Sequence, residues 1–203
     1  YVSGTRCGGA DGRQGVLATV RAPGGGAAVL RIRDNGRGIA ISTDCNGRYC
    51  YLDPYVGAQI AFAEAARNVA SSGGDPAAIT DCLNFGNPEK LDVYFTLSQA
   101  VRGIAEACSV FETPVVSGNV SLYNETGGRP VYPTPVVGML GLLEDVTRHL
   151  RAAFERPGAS VWLLGSGLNQ HASSLGGGEY LEAAHNTVAG LPVIDLNAEL
   201  RLQ

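Results

Sequence analysis

The chain has 203 residues, 45% of them apolar, and carries a net charge of −4; that is enough apolar material for a real core and predicts a globular protein. Its basic residues are scattered, which excludes the electrostatic footprint of a nucleic-acid binder. Lys90 is the single lysine, which excludes a Walker A loop, so an anionic ligand has to be held by backbone amides, a few arginines or a divalent ion.

Residues 1–26 are rich in Gly, Arg and Ala, with GGADG and PGGG around the short apolar run VLATV, and read as an irregular lead-in or linker. From Ala27, the β-prone runs AAVLRI and GIAISTD flank the turn signal Asn35-Gly36 and predict a hairpin. After YLDPY, the Ala-rich VGAQIAFAEAARNVASSGG predicts a helix that stops at Gly73-Gly74. AAITDCLNF predicts a strand and GNPEK a turn. Leu97, Val101, Ile104, Cys108 and Phe111 then draw one apolar stripe down a helix that ends before Thr113-Pro114. VVSGN and PVVGMLGLL predict strands on either side of an exposed tip, ETGGRP.

That order predicts an α/β chain of the layered α+β kind over residues 27–150, with helices on one face of a mixed sheet. A second unit is expected over 151–203: ASVWLLG as a strand, the loop SSLGGGE leading into a helix through about Ala189, and DLNAELRLQ opening another helix with Asp195 as N-cap. Leu196 and Leu200 are expected to find nothing to pack against, which predicts a truncated domain.

No run of about 18 apolar residues occurs and the first 30 residues lack the order of a signal peptide, so a soluble, cytoplasmic protein is expected, without membrane or nucleic-acid partners. Cys7, Cys45, Cys50, Cys82 and Cys108 form no CxxC pair and are expected to be reduced thiols rather than zinc ligands.

Three apolar strands run straight into polar clusters. IAISTDCN supplies Asp44 and Asn46, AAITDCLNFGN supplies Asp81, Asn84 and Asn87, and VVSGNVSLYNE supplies Asn119, Ser121, Asn124 and Glu125. If these strands point the same way, hard oxygen donors suited to Mg²⁺ and phosphate converge at one sheet edge. Gly118 would let a ligand approach the backbone, and the Ser121 hydroxyl would donate to a phosphate or amide. The same residues serve equally as turn formers and helix caps, and spacing leaves both readings open.

Other segments carry less. GSGLNQ at 165–170 begins like a dinucleotide fingerprint but has Gln170 where the third glycine belongs, and reads as a loop. GGGEYLEAAH makes either an anion nest at a helix start or a turn whose Glu179 complements the helix dipole. His149, His171 and His185 lie outside the polar clusters and read as surface or capping residues. No catalytic base or nucleophile is legible.

STDCNGRYCYLDPYVGAQIAFAEAARNVASSGGDPAAITDCLNFGNPEK, TPVVSGNVSLYNE and YPTPVVGMLGLLEDV together resemble the phosphoribosylformylglycinamidine synthase family, in the second half of its large synthetase subunit PurL. The resemblance covers residues 27–203. It implies an aminoimidazole ribonucleotide (AIR) synthetase-like N-terminal-type domain whose strands join a partner copy in a barrel, then the start of a C-terminal-type domain. It implies ATP-dependent amidation of formylglycinamide ribonucleotide in purine biosynthesis, with Mg²⁺ and ammonia from glutamine, and as partners a first half of the same chain, a glutamine amidotransferase subunit and a small accessory subunit.

Matched residue by residue, Asp81 and Gly118 resemble ATP contacts, Asn119 a Mg²⁺ ligand and Ser121 a contact to the substrate ribonucleotide. The family's catalytic histidines match no position here, so this chain alone is expected to be inactive. Two departures stand out: Ala27 replaces the family's aspartate, and LGGGEYL replaces LGGSEYL. A related ATP-dependent enzyme, such as AIR synthetase, selenophosphate synthetase or thiamine-monophosphate kinase, and a purely structural pairing half remain the alternatives.

Overall fold

The computed structural model describes residues 17–19, 25–154, 156–165 and 175–203. Strands β2 (Ala28–Ile32) and β3 (Gly38–Asp44) form the predicted antiparallel hairpin, its turn passing through left-handed Asp34 (φ 71°) and Gly36 (φ 73°). Helix α1 (Gly47–Leu52) is a short element that periodicity did not reveal. It hands directly to α2 (Pro54–Ala70), where Asp53 accepts from the Tyr55 and Val56 amides and Pro54 supplies a preset first turn.

Strand β4 (Asp75–Asn84), helix α3 (Leu91–Val110) and strand β5 (Val115–Ser121) follow, then the small ladder of β6 (Glu125–Thr126) with β7 (Arg129–Pro130), and β8 (Thr134–Leu143). A short strand, β1 (Leu17–Thr19), pairs antiparallel with β2, so the expected lead-in contributes to the sheet. Its backbone pairs along the otherwise open edge of β2, and ladder bonding wins there over linker composition.

The sheet order is β1-β2-β3-β8-β4-β5. Strands β3 and β4 both run antiparallel to β8, and β5 runs parallel to β4. The carboxyl ends of β3, β4 and β5 therefore lie at one end of the sheet. Parallel neighbours need a crossover, and α3 provides it.

Helices α2 and α3 cover one face. Phe62, Ala65, Ala66 and Val69 of α2 are buried with Val29, Ala40, Ile79, Val137 and Met139 of the sheet, and α3 adds Val93, Ala100, Ile104 and Ala107. Side chains as large as Phe62 and Met139 stabilise by about 1.5–3 kcal/mol each when fully buried. The buried Ser42 hydroxyl donates to the Ala65 carbonyl at 2.9 Å, so this polar group is satisfied inside the apolar layer.

Beyond residue 150 the expectations need correction. ASVWLLG is no strand: Val161, Trp162, Leu163 and Leu164 are all exposed, and no strand among the described residues pairs with them. Helix α4 (Glu179–His185) ends at left-handed Asn186 (φ 49°), short of Ala189. Helix α5 (Leu196–Leu202) is capped by Asp195 as expected, but Leu196 is buried in the core cluster, against the expectation that it finds no surface. Arg67 of α2 reaches Glu199 at 2.5 Å and ties α5 to the helical layer.

Candidate functional site

Register brings the predicted residues together. Asp44 and Asp81 each sit opposite Val137, on either side of β8, and Asp81 sits opposite Gly118 of β5. Asp44, Val137, Asp81 and Gly118 thus form one row across four strands, and with strands about 4.8 Å apart the two aspartates are separated by roughly 10 Å. All three polar clusters converge at one end of the sheet, as the sequence reading expected.

Side-chain alternation then divides the cluster between two faces. Asp44 shares its face with buried Ala40 and Ser42, and Asp81 shares its face with buried Ile79 and Leu83, so both carboxylates lie on the helical side. Asn119 and Ser121 project to the side that α2 and α3 leave uncovered. Burial pushes the Asp81 carboxyl above the usual range, opposed by a hydrogen bond from the Asn119 backbone. A Cβ on Gly118 would collide with Asp81 Oδ1, so this carboxylate occupies the space that glycine leaves.

Asn119 is exposed and its Nδ2 lies 3.7 Å from Cys82 Sγ. The Ser121 hydroxyl lies 3.0 Å from Asn124 Nδ2 and 3.3 Å from Asn124 Oδ1. Glu125, to which sequence reading assigned no task, accepts from Lys90 Nζ at 2.7 Å and from the Asn87 amide at 3.3 Å. Those two donors, Lys90 first, hold its carboxyl below the usual range.

Several candidates are turn formers and caps. Asn46 caps α1, Asn84 donates to the Cys82 and Thr134 carbonyls, and Asn87 accepts from the Glu89 amide. Asp44 Oδ1 accepts from Asn68 at 2.9 Å, while its buried Oδ2 has no partner among the described residues. Burial and then the Asp44 charge push the nearby Glu64 carboxyl upward.

Glu179, with Glu182, pairs with Arg48 of α1, which favours charge pairing over an anion nest in the GGGEYLEAAH segment. His149 Nδ1 meets the Val146 carbonyl at 2.9 Å, His185 packs edge-on against Tyr180, and His171 lies outside the described residues, as does most of GSGLNQ. Cys45, Cys50, Cys82 and Cys108 are free thiols, with Cys45 lowered and Cys50 raised by the hydrogen bond between them.

Sequence reasoning missed a cleft of about 330 Å³ beside α1 and the start of α3, lined by Tyr51, Phe85, Asp92, Arg129 and Tyr132. The Tyr51 and Tyr132 rings meet at 5.0 Å, a contact between distant segments that no local pattern announces. Among the described residues, no three His, Cys, Asp or Glu side chains gather into a metal cage. The oxygen donors at the strand ends suit instead an ion that takes one or two protein ligands and completes its shell with phosphate and water, as Mg²⁺ does. Among the described residues no helix is long and apolar enough to cross a membrane.

Residues 24–143 match the family described as AIR synthase related protein, N-terminal domain. The chain is 53% identical over 186 residues to the phosphoribosylformylglycinamidine synthase subunit PurL of Caldanaerobacter subterraneus, a match covering 91% of the chain and 25% of that relative. Against the PurL subunit of Thermomicrobium roseum it is 56% identical over 187 residues, again 91% of the chain and 25% of the relative. It thus spans about a quarter of the length of these curated relatives.

Among solved structures, PurLQS from Thermotoga maritima matches with TM-score 0.62 and 40% identity, over 66% of this chain and 22% of that one. T. maritima PurL complexed with ATP matches at 0.58 and 42%, over 62% and 21%. The same protein complexed with FGAR, formylglycinamide ribonucleotide, matches at 0.56 and 40%, over 62% and 20%.

Proposed function

The chain belongs to the AIR synthase related protein family, and from that premise we propose that it forms one wall of a phosphoribosylformylglycinamidine synthase site. The reaction, ATP-dependent carbon–nitrogen ligation in purine biosynthesis, activates the amide oxygen of formylglycinamide ribonucleotide with ATP and replaces it with glutamine-derived ammonia. The observation that carries this reading is that Asp81, Gly118, Asn119 and Ser121 lie at one end of two parallel strands, Asp81 on the helical face and Asn119 and Ser121 on the other, so that a ligand would wrap that end. The same four positions carry the family likeness.

Each residue has a task its chemistry suits. An ionised Asp81 is acceptor-only, so it would bind the hydroxyl or amino donors of ATP rather than its phosphates. Gly118 keeps the space in which that carboxylate sits. Asn119 would offer an amide oxygen to Mg²⁺, which supplies charge neutralisation of the phosphates when bound. Ser121 would donate its hydroxyl to the ribonucleotide substrate.

On this reading residues 27–150 are an N-terminal-type domain, and 151–203 begin a C-terminal-type one. The wider assembly would include a first synthetase half, a glutamine amidotransferase subunit and a small accessory subunit, with the cytoplasm as compartment. A second reading, a structural pairing half without its own ligand, draws support from β5, an edge strand along which Val115, Val116 and Val120 are exposed.

One experiment separates the two. Asn119→Ala in the full-length subunit carrying this chain, assembled with its amidotransferase, is expected to raise the Mg²⁺ concentration for half-maximal activity at least tenfold. Unchanged Mg²⁺ dependence would favour the scaffold. The isolated chain is expected to form no product from ATP, substrate and ammonia, and turnover by it would overturn the half-site reading.

A further inference from the structure

We infer that Asn124 is a positioning residue for Ser121, turning the serine hydroxyl hydrogen outward toward an acceptor oxygen of the ligand; the inference rests on the substrate contact proposed above for Ser121.

Past Ser121 the chain reverses through Leu122 and Tyr123. Tyr123 holds φ 60°, a sparsely populated backbone for a residue with a side chain, and such a conformation persists where the surroundings overdetermine it. Four backbone hydrogen bonds contribute to this here. The Tyr123 amide donates to the Gly86 carbonyl at 3.0 Å, the Asn124 amide to the Phe85 carbonyl at 3.1 Å, and the Phe85 amide to the Ser121 carbonyl at 3.0 Å. Val131 completes the frame by donating to the Asn124 carbonyl at 3.0 Å.

The Asn124 side chain is added to a loop already closed. Its Nδ2 lies 2.9 Å from the Ser121 carbonyl, 3.1 Å from the Phe85 carbonyl and 3.0 Å from Ser121 Oγ. The nitrogen carries two hydrogens for these three oxygens, so they are shared, and since an amide nitrogen does not accept, its approach to Oγ is as a donor. A hydroxyl has one hydrogen and two lone pairs, and accepting from Nδ2 leaves the hydrogen free. The alternative, donation from Oγ to Asn124 Oδ1, is longer at 3.3 Å and would turn the hydrogen inward. A half-buried serine presented in this way suits an acceptor-rich ligand, such as an amide carbonyl or a phosphate.

The test is a double-mutant cycle in the full-length subunit assembled with its amidotransferase, reading KM for formylglycinamide ribonucleotide and for ATP separately. Ser121→Ala and Asn124→Ala are each expected to raise the ribonucleotide KM about three- to tenfold, the range of one hydrogen bond, and to leave the KM for ATP unchanged. If Asn124 acts through Ser121, Asn124→Ala added to Ser121→Ala changes that KM less than twofold. Asn124→Asp keeps the shape but removes the donor, and its carboxylate would pull the serine hydrogen inward, so it is expected to match the alanine variant. This isosteric variant keeps the cycle usable should Asn124→Ala fail to fold.

Multiplicative effects of the two substitutions, or an Asn124→Asp variant with normal KM, overturn the positioning role. A silent Ser121→Ala instead overturns the substrate contact proposed for Ser121, and the inference with it.

Discussion

Gly118 illustrates how one missing side chain defines a polar group. Sequence reading expected the glycine to admit a ligand, and the structure shows it admitting the neighbouring carboxylate of Asp81. Gly118→Ala is therefore expected to displace that carboxylate and weaken ATP binding by the assembled subunit at least tenfold, at little cost in stability, because Gly118 is exposed and only the end of a side chain has to move. Calorimetric titration with ATP and urea unfolding would measure the two effects. Normal ATP affinity would show that the Asp81 position does not matter to the nucleotide. Glu125 gives a pH prediction of definite sign. Its carboxyl titrates below the usual range because Lys90 and the Asn87 amide hold the charged form. The contribution of this contact is present above the unfolded glutamate range and is lost as pH falls through the lowered folded value. The Asn87 amide is expected to lose exchange protection on acidification, and in Glu125→Gln that acid-side step should vanish. A step retained in the variant would assign it to another group.

At the scale of elements, the helical layer works because its residues are small. Ala58 of α2 and Gly103 of α3 meet where a Cβ on Gly103 would collide with the Tyr55 carbonyl. Helix propensity alone favours Gly103→Ala by about 1 kcal/mol, yet the backbone contact forbids the added carbon without separating the helices. The variant is expected to lose about 1–3 kcal/mol net, as overpacked cores do, and thermal unfolding would measure it. A gain in stability would mean that α3 slides freely. The elements also show where sequence reading reached its bound. The stripe Leu97 to Phe111 and the Asn35-Gly36 turn are local signals, and both elements formed as expected. ASVWLLG has an equally good strand composition but is exposed and irregular, because a strand is completed by a partner rather than by its own residues. The lead-in erred the other way: within glycine-rich sequence, Leu17–Thr19 pairs because β2 offers an edge.

For the whole molecule, the sequence by itself determined the order of the main elements from β2 to β8, the cap at Asp195, the polar strand ends and the family likeness of ITDCLNFGNPEK and SGNVSLYNE. These depend on residue type at short range: an aspartate before a helix, a glycine in a left-handed turn, an apolar run ending in oxygen donors. Only the tertiary structure decided that β8 inserts between β3 and β4, that Asp81 faces Gly118, and that Asp44 and Asp81 lie under the helices while Asn119 and Ser121 lie on the other face. The physical reason is that strand register comes from packing one face of the whole sheet against α2 and α3. A shift of one residue would exchange the two faces, and no local pattern within a single strand says which neighbour it will meet.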